Sequence, residues 1–356
     1  MSAESEQARV LEHAAAPLLD GMEIDAETII KVTPLLGRNI SGRFDFINGA
    51  PLFVKVLRGL GAGDRFTRSI SFSTAAAHAV GFSTPDLVGH DQPSRAVAHE
   101  FLADGARFGE IVRDNQATLG ELARAGAAVA GLHSMHLADP TVADRTLPPL
   151  PPHGLNAIAL DLFEGSTVGQ LEMWRIIQGD TSLRADLDQL ALPLAAHEVV
   201  PIHGDLRSDQ LLMSEDNCWI LDWEEFRLGD AARDVGSMAG ELLYHRMRLI
   251  LDGLVTGGEV ITDEMFISRG AEIIETVSPS LRAFWEAYCS RRGGDLSDEF
   301  TGRTVRFLGW QLFDRALASA TYFGRMSALD RALAGIGREA IRGGANYAGI
   351  LGFEAA

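Results

Sequence analysis

The sequence predicts an α+β protein of two lobes, a small sheet lobe followed by a larger, mostly helical one. Three observations predict it. Residues 39–57 alternate apolar and polar positions around Asn48-Gly49, a strong hairpin signal. Beyond Gly105 the apolar residues change to helical spacing, as in Leu119, Leu122, Val129, Leu132 and Met135. A length of 356 residues suits about two units of roughly 100–200 residues each. The boundary is placed between residues 103 and 104, giving lobes 1–103 and 104–356.

Taken in order, residues 5–20 read as a helix and 22–35 as a short helix or loop leading to Pro34. "GRFDFING" and "APLFVKVL" read as paired strands, and the Ala/Ser-rich stretch 65–80 as a helix. "PDLVGHD" and "RAVAHEFL" supply two more strands, so the first lobe is a small sheet with one inserted helix. A helix over 116–136 is followed by the Pro-rich stretch 137–155, expected as an exposed connection. Helices resume over 155–196, and short strands interrupt them in "HEVVPIHGD" and "LLM…CWILDW". Residues 230–356 are again helical, with a Gly-rich break near 291–295. Trp310, Phe313 and Phe323 are expected in the core, with a pocket lining as the alternative.

A net charge of −18 argues against sequence-independent nucleic-acid binding and against anionic membrane surfaces. Cys218 and Cys289 are too few for a disulfide framework or a Cys-rich zinc site, which favours a reducing compartment, the cytoplasm. The acidic N-terminal stretch lacks the apolar segment of a signal peptide.

The chemistry concentrates in "VVPIHGDLRSDQLLMSEDNCWILDWEEFRLGDAARDV", residues 199–235. Leu211–Met213 and Cys218–Leu221, separated by a polar turn, should pair as a hairpin. That pairing sets Asp222 opposite Asp209 and beside Gln210, while Asp205 lies on the loop leaving the preceding strand. A carboxylate between apolar strand residues is costly to bury unless it is paired or holds a cation. Magnesium needs only one or two carboxylates plus substrate phosphates, so a sparse protein site suffices; Asp205, Gln210 and Asp222 are the polar groups that converge at this end of the sheet. Asp205 is placed to accept a proton from an attacking hydroxyl. These are the minimal parts of a phosphoryl-transfer site, which works mainly by positioning and charge neutralisation.

Lys55 belongs to the same argument. The chain has 29 arginines but only two lysines, Lys31 and Lys55, and Lys55 sits inside the β-branched run "FVKV". It reads as a phosphate ligand reaching across from the first lobe, because a compact ammonium in a confined site is not interchangeable with a guanidinium. The alternative is an edge-strand lysine that discourages aggregation.

With these residues on the page, the chain resembles the aminoglycoside phosphotransferase and choline kinase-like family, relatives of protein kinases. "HGDLRSDQ" resembles the catalytic loop, "ILDWEEFRLGDAARDV" the metal-binding segment, "FVKVL" the phosphate-binding strand and "VAHEFLADG" the hinge. "LGELARAGAAVAGLHSM" resembles the helix before the family's variable insert. The resemblance implies a protein-kinase-like fold, ATP and Mg2+ as cofactors, Asp205 as catalytic base, Asp222 as main metal ligand and Lys55 as phosphate clamp. It implies that the backbone of Glu100, Phe101 and Leu102 holds adenine, and that Arg207 neutralises developing charge, a surface arginine being the alternative. His203 and Asp234 would brace the catalytic loop, and Asp230 and Glu224 would be structural.

Three departures stand out. Gln210 replaces the family's usual Asn. No glutamate occurs between Glu27 and Glu100, so Lys55 lacks the helix glutamate that holds the lysine in kinase-like folds, or finds a partner elsewhere. "LLGRNISGRF" is poor in glycine for a loop that covers phosphates.

For the acceptor, "GRNISGRF…PLFVKVL…RFTRSISF" is similar to the phosphotransferase-like subunits of class V lanthipeptide and thioamitide biosynthesis. That similarity implies phosphorylation of Ser/Thr in a ribosomally made precursor peptide, with a separate lyase as partner. A kinase of a small hydroxylated molecule such as an aminoglycoside, and a pseudokinase scaffold for a peptide or partner subunit, are the alternatives.

Overall fold

The computed structural model describes residues 3–35, 37–76, 81–137, 139–146, 155–191, 199–256, 263–293 and 296–353. It begins with helix α1 (Ala3–Gly21), as expected. Residues 22–35 do not remain a loop. After one short turn they form β1 (Ile29–Leu35), where Ile29, Ile30, Val32 and Thr33 are β-branched residues suited to a pleated strand. β1 lies at the sheet edge, which is why Pro34, with no N–H to donate, is tolerated there.

The hairpin around Asn48-Gly49 joins β2 (Ile40–Phe46) to β3 (Leu52–Val56), with Ser41 opposite Lys55. Helix α2 (Ala62–Ala76) follows; residues 77–80, the end of the expected 65–80 helix, lie outside the described residues. Strands β4 (Leu87–Asp91) and β5 (Ala96–Glu100) complete an antiparallel sheet of order β1-β2-β3-β5-β4. β3 is therefore central, and the edge-strand reading of Lys55 is overturned.

Alternation assigns the two faces of this sheet. Leu52, Val54, Val56, Phe44, Ala96 and Ala98 pack on Leu11, Ala15, Leu18 and Leu19 of α1, so the first lobe has a second helix behind it. Val97 and Leu57 instead meet Ala62 and Phe66 of α2. Lys55 and Val97, directly opposite one another, alternate with Val54 and Ala98, which leaves Lys55 on the α2 side.

The second lobe opens with β6 (Ala106–Arg107), α3 (Phe108–Arg113) and α4 (Leu119–His133). The Pro-rich connection expected to be exposed is partly built in. Leu137, Ala143 and Leu155 are buried, because the chain here closes over the core rather than looping into water. Its residues 147–154 lie outside the described ones. Helices α5 (Leu160–Gly165), α6 (Val168–Gly179) and α7 (Thr181–Leu190) come next, and residues 192–198 are again outside.

β7 (Val199–Ile202) precedes the expected hairpin β8 (Leu211–Met213) and β9 (Cys218–Ile220), with Leu211 opposite Ile220. A further strand, β10 (Arg227–Asp230), was not expected; it pairs with β7. Helices α8 (Ala231–Thr256), α9 (Asp263–Arg292), α10 (Asp298–Phe323) and α11 (Ala328–Gly343) finish the lobe, with Gly293 in the left-handed region at the expected break. α4 packs on α9 so closely that a Cβ at Gly126 would lie 2.1 Å from the Phe284 carbonyl oxygen. Trp310 and Phe313 are buried as expected, but Phe323, at the end of α10, is 70% exposed. Among the described residues no helix is long and apolar enough to cross a membrane.

Candidate active site

The loop after β7 carries "HGD", and its shape is held from beneath. The Asp234 carboxylate, fully buried near the start of α8, accepts from the His203 amide (2.6 Å) and the Gly204 amide (3.0 Å). It also meets His133 Nε2 (3.2 Å), whose Nδ1 lies 2.9 Å from the Tyr288 hydroxyl. Burial pushes Asp234 up, but the His133 hydrogen bond and charge, with the His203 amide, outweigh it and hold the carboxyl below its ordinary value. His203 Nε2 donates to the Leu221 carbonyl (2.7 Å), which leaves Nδ1 to accept from the Asp205 amide (3.3 Å). Gly204 sits at φ +83°, where an added Cβ would lie 2.5 Å from the Glu225 carbonyl oxygen. The brace is the one implied for His203 and Asp234, and it delivers Asp205 with its side chain half exposed.

Arg207 lies against Asp205, Nη2 to Oδ2 at 3.4 Å, rather than loose on the surface. Asp314 on α10 is pushed up by burial while feeling the charges of Arg315, Asp205, Arg207 and Glu241. Beside Asp205 the carboxylates of Asp314 and Glu241 are interleaved with the guanidiniums of Arg207, Arg233 and Arg315. Glu241 is buried and paired with Arg315, Gln311 (2.9 Å) and Ser208 (3.4 Å). Burial raises Glu241, but His245 and Arg315 bring it down to about 2.

The β8–β9 register places Asp222 beside Gln210, and the Leu221 amide donates to the Gln210 carbonyl (2.9 Å). Asp222 occupies the left-handed region at φ 66°, a conformation Asp tolerates and one that recurs at functional sites. Gln210 Oε1 is buried with no hydrogen-bond partner. A buried amide oxygen without a donor is open to a water or a cation, so Gln210 and Asp222 would be the residues to hold magnesium.

Lys55 crosses from the first lobe to this point. Its Nζ lies 2.5 Å from Asp222 Oδ1 and 2.9 Å from Glu224 Oε2. Glu224, expected to be merely structural, is thus the partner that the helix between residues 62 and 76 does not supply. It is placed by its neighbour Trp223, which stacks on Phe72 of α2 (centroids 3.5 Å apart) and donates to Thr84 Oγ1 (2.8 Å). Glu224 also meets Arg38 (2.5 Å), Asn39 (2.9 Å) and Arg65 of α2 (3.4 Å). Burial would raise its pKa, but Lys55, by charge and hydrogen bond, then Arg38 and Arg65 pull it down to about 2. Where kinase-like folds set a glutamate on the helix, this chain sets Arg65 there and places the glutamate just after Asp222. Sequence reading missed Arg38, Asn39 and Arg65; the absence of Glu over 28–99 beside the acidic run "DWEE" was the available signal.

At the hinge, the Glu100 amide donates to the Asp86 carbonyl (3.0 Å) and the Phe101 amide to the Pro51 carbonyl (3.2 Å). Both amides are spent within the lobe. Arg43 lies over the Phe101 ring (4.4 Å), and His99, pushed down to about 4 by burial and by the charge of Lys55, is neutral at pH 7.

The described part of the chain matches the family model of the phosphotransferase enzyme family over residues 62–255. This is more than half of its 356 residues, and the chain belongs to that family. No curated protein sequence matches it. Among solved structures, a choline/ethanolamine kinase family protein from Mesorhizobium loti is 16% identical with a TM-score of 0.53, covering 93% of this chain and 98% of its own. A choline kinase from Cryptosporidium parvum is 12% identical with a TM-score of 0.54, covering 96% of each. A GDP complex of an aminoglycoside 2′-phosphotransferase is 15% identical with a TM-score of 0.51, covering 96% and 99%. At these identities the likeness establishes the shared fold, the kinase-like α+β architecture expected from sequence.

Proposed function

We propose that this phosphotransferase moves the γ-phosphoryl group of ATP to the hydroxyl of a small, positively charged acceptor. The observation that carries the reading is Lys55, brought from the central strand of one lobe onto Asp222 of the other, beside the unpartnered Gln210 oxygen. In this reading residues 1–103 hold the nucleotide, with Lys55 on the α- and β-phosphates and the Glu100–Leu102 backbone on adenine. The carbonyls and the Leu102 amide do that work, since the Glu100 and Phe101 amides are engaged. Residues 104–356 hold the acceptor. Magnesium, when bound to Gln210 and Asp222, supplies neutralisation of phosphate charge.

Asp205 accepts the acceptor's hydroxyl proton as its oxygen bonds to the γ-phosphorus, and the bond from that phosphorus to the bridging oxygen breaks to release ADP. Arg207 must turn from Asp205 toward the transferred group to stabilise it, a motion confined to one side chain. Asp205 and Asp314 lie in one another's field, and an ammonium on the acceptor would add to the compensation that Arg207, Arg233 and Arg315 already give them. Choline, named for a structural relative, is such an alcohol.

The peptide acceptor expected from sequence is kept as the alternative reading. In the segments that carried it, Arg38, Asn39, Arg65 and Arg68 hold Glu224, Glu225 and Asp144, so they join the lobes. The test is mass spectrometry after incubation with ATP and Mg2+ and, separately, amino alcohols, aminoglycosides and Ser/Thr peptides. A gain of one phosphoryl group on a cationic alcohol supports the reading; transfer to peptides alone, or to nothing, contradicts it.

A further inference from the structure

We propose, resting on the phosphotransferase reading, that Arg38 is a second cation for the nucleotide's phosphates, stored on Glu224 and released to the triphosphate on binding. Arg38 stands between β1 and β2, where the register runs Ile40 opposite Val56 and Ser41 opposite Lys55, so it lies just past the lysine's end of the sheet. Its side chain is 66% exposed and its recorded partner is Glu224 Oε1 at 2.5 Å. The guanidinium end of this pair is open to water although its carboxylate partner is buried, so Arg38 can leave without crossing the core.

Its departure strands nothing. Glu224 Oε1 keeps Arg65, and Oε2 keeps Lys55 and Asn39. Nor does the loop have to move. Asn39 Oδ1 accepts from the Arg58 amide (3.2 Å) and from Arg65 (3.3 Å), which pins the residue next to Arg38 while the guanidinium swings. Charge favours the exchange. Among the described residues, Arg38, Lys55 and Arg65 are paired here with Asp222 and Glu224, three positive charges to two negative, facing the site of an anion. A guanidinium, with its planar fork, also suits phosphate oxygens. The loop has Gly37 alone before it, so a side chain does here what a run of glycine amides would otherwise do.

Titration calorimetry of wild type and Arg38→Ala with Mg-ATP and with adenosine tests this, thermal melting serving to confirm that the variant is folded. The expected result is an ATP Kd raised about tenfold with adenosine affinity unchanged, a loss specific to phosphate. Unchanged ATP affinity, or equal losses for ATP and adenosine, overturns the role of Arg38 alone. No binding of Mg-ATP by wild type overturns the phosphotransferase reading and this inference with it.

Discussion

Two charged clusters a few residues apart in sequence are built on opposite plans. The cluster under the catalytic loop, Asp234 with His203, Gly204 and His133, is buried, and one carboxylate satisfies two backbone amides and an imidazole. The cluster between the lobes, Glu224 and Asp222 with Lys55, Arg65 and Arg38, ranges from buried Arg65 to largely exposed Arg38 and carries surplus positive charge. The first has nothing to exchange and serves geometry. The second is assembled from both lobes, and its partners can be traded for phosphate and metal. A buried, fully satisfied group fixes a loop, whereas an over-supplied pair at a cleft edge is prepared for a ligand.

The largest effect should come where the two clusters hand over to chemistry. Asp205→Asn should lower turnover about 10²–10⁴-fold while ATP affinity holds, since the general base is lost and the nucleotide cluster is untouched; steady-state kinetics beside calorimetry reads both. Next, Asp234→Asn should destabilise the fold by roughly 3 kcal/mol, because an amide NH2 is turned toward backbone donors in a dry site. A Tm within a degree of wild type would remove the contrast between a rigid and an exchangeable cluster.

Much of this was legible in the sequence, for physical reasons. Alternation around Asn48-Gly49 and the polar turn 214–217 is local, and both hairpins follow. Gln210 and Asp222 could be brought together because one hairpin register links them, and Asp205 because it lies on the loop that leads into that hairpin. β1 was hidden by Pro34, which an edge position tolerates, and β10 by a four-residue span with no alternation, whose partner is 25 or more residues away in sequence. The lysine's partner was hidden more deeply. Arg65 to Glu224 spans 159 positions, and only the stacking of Phe72 on Trp223 makes that contact inevitable.

A smaller effect sharpens the second cluster. Glu224→Gln should raise the KM for ATP about tenfold with kcat less affected, as Lys55 loses one of its two charged anchors. A fall in kcat alone would move Glu224 out of the nucleotide site. The smallest effects are with pH. Glu224 and Glu241 are lowered from 4.5 to about 2, so their contribution to stability is complete above pH 4.5 and is lost as pH falls toward 2. His99 is lowered from 6.5 to about 4, so its neutral form favours folding above pH 6.5, and that contribution is lost as pH falls from 6.5 toward 4. Urea unfolding of wild type, Glu224→Gln and His99→Gln across pH 2–7, an interval of about five units chosen to span these shifts, should show each variant flatter in its own window.

The most direct measurement is Mg-ATP binding by wild type, Lys55→Ala and Asp222→Ala. Tight binding by wild type, weakened about tenfold or more by Lys55→Ala and made insensitive to Mg2+ by Asp222→Ala, is the predicted result. Equal affinities for all three proteins would contradict a triphosphate held between the lysine of one lobe and the aspartate of the other.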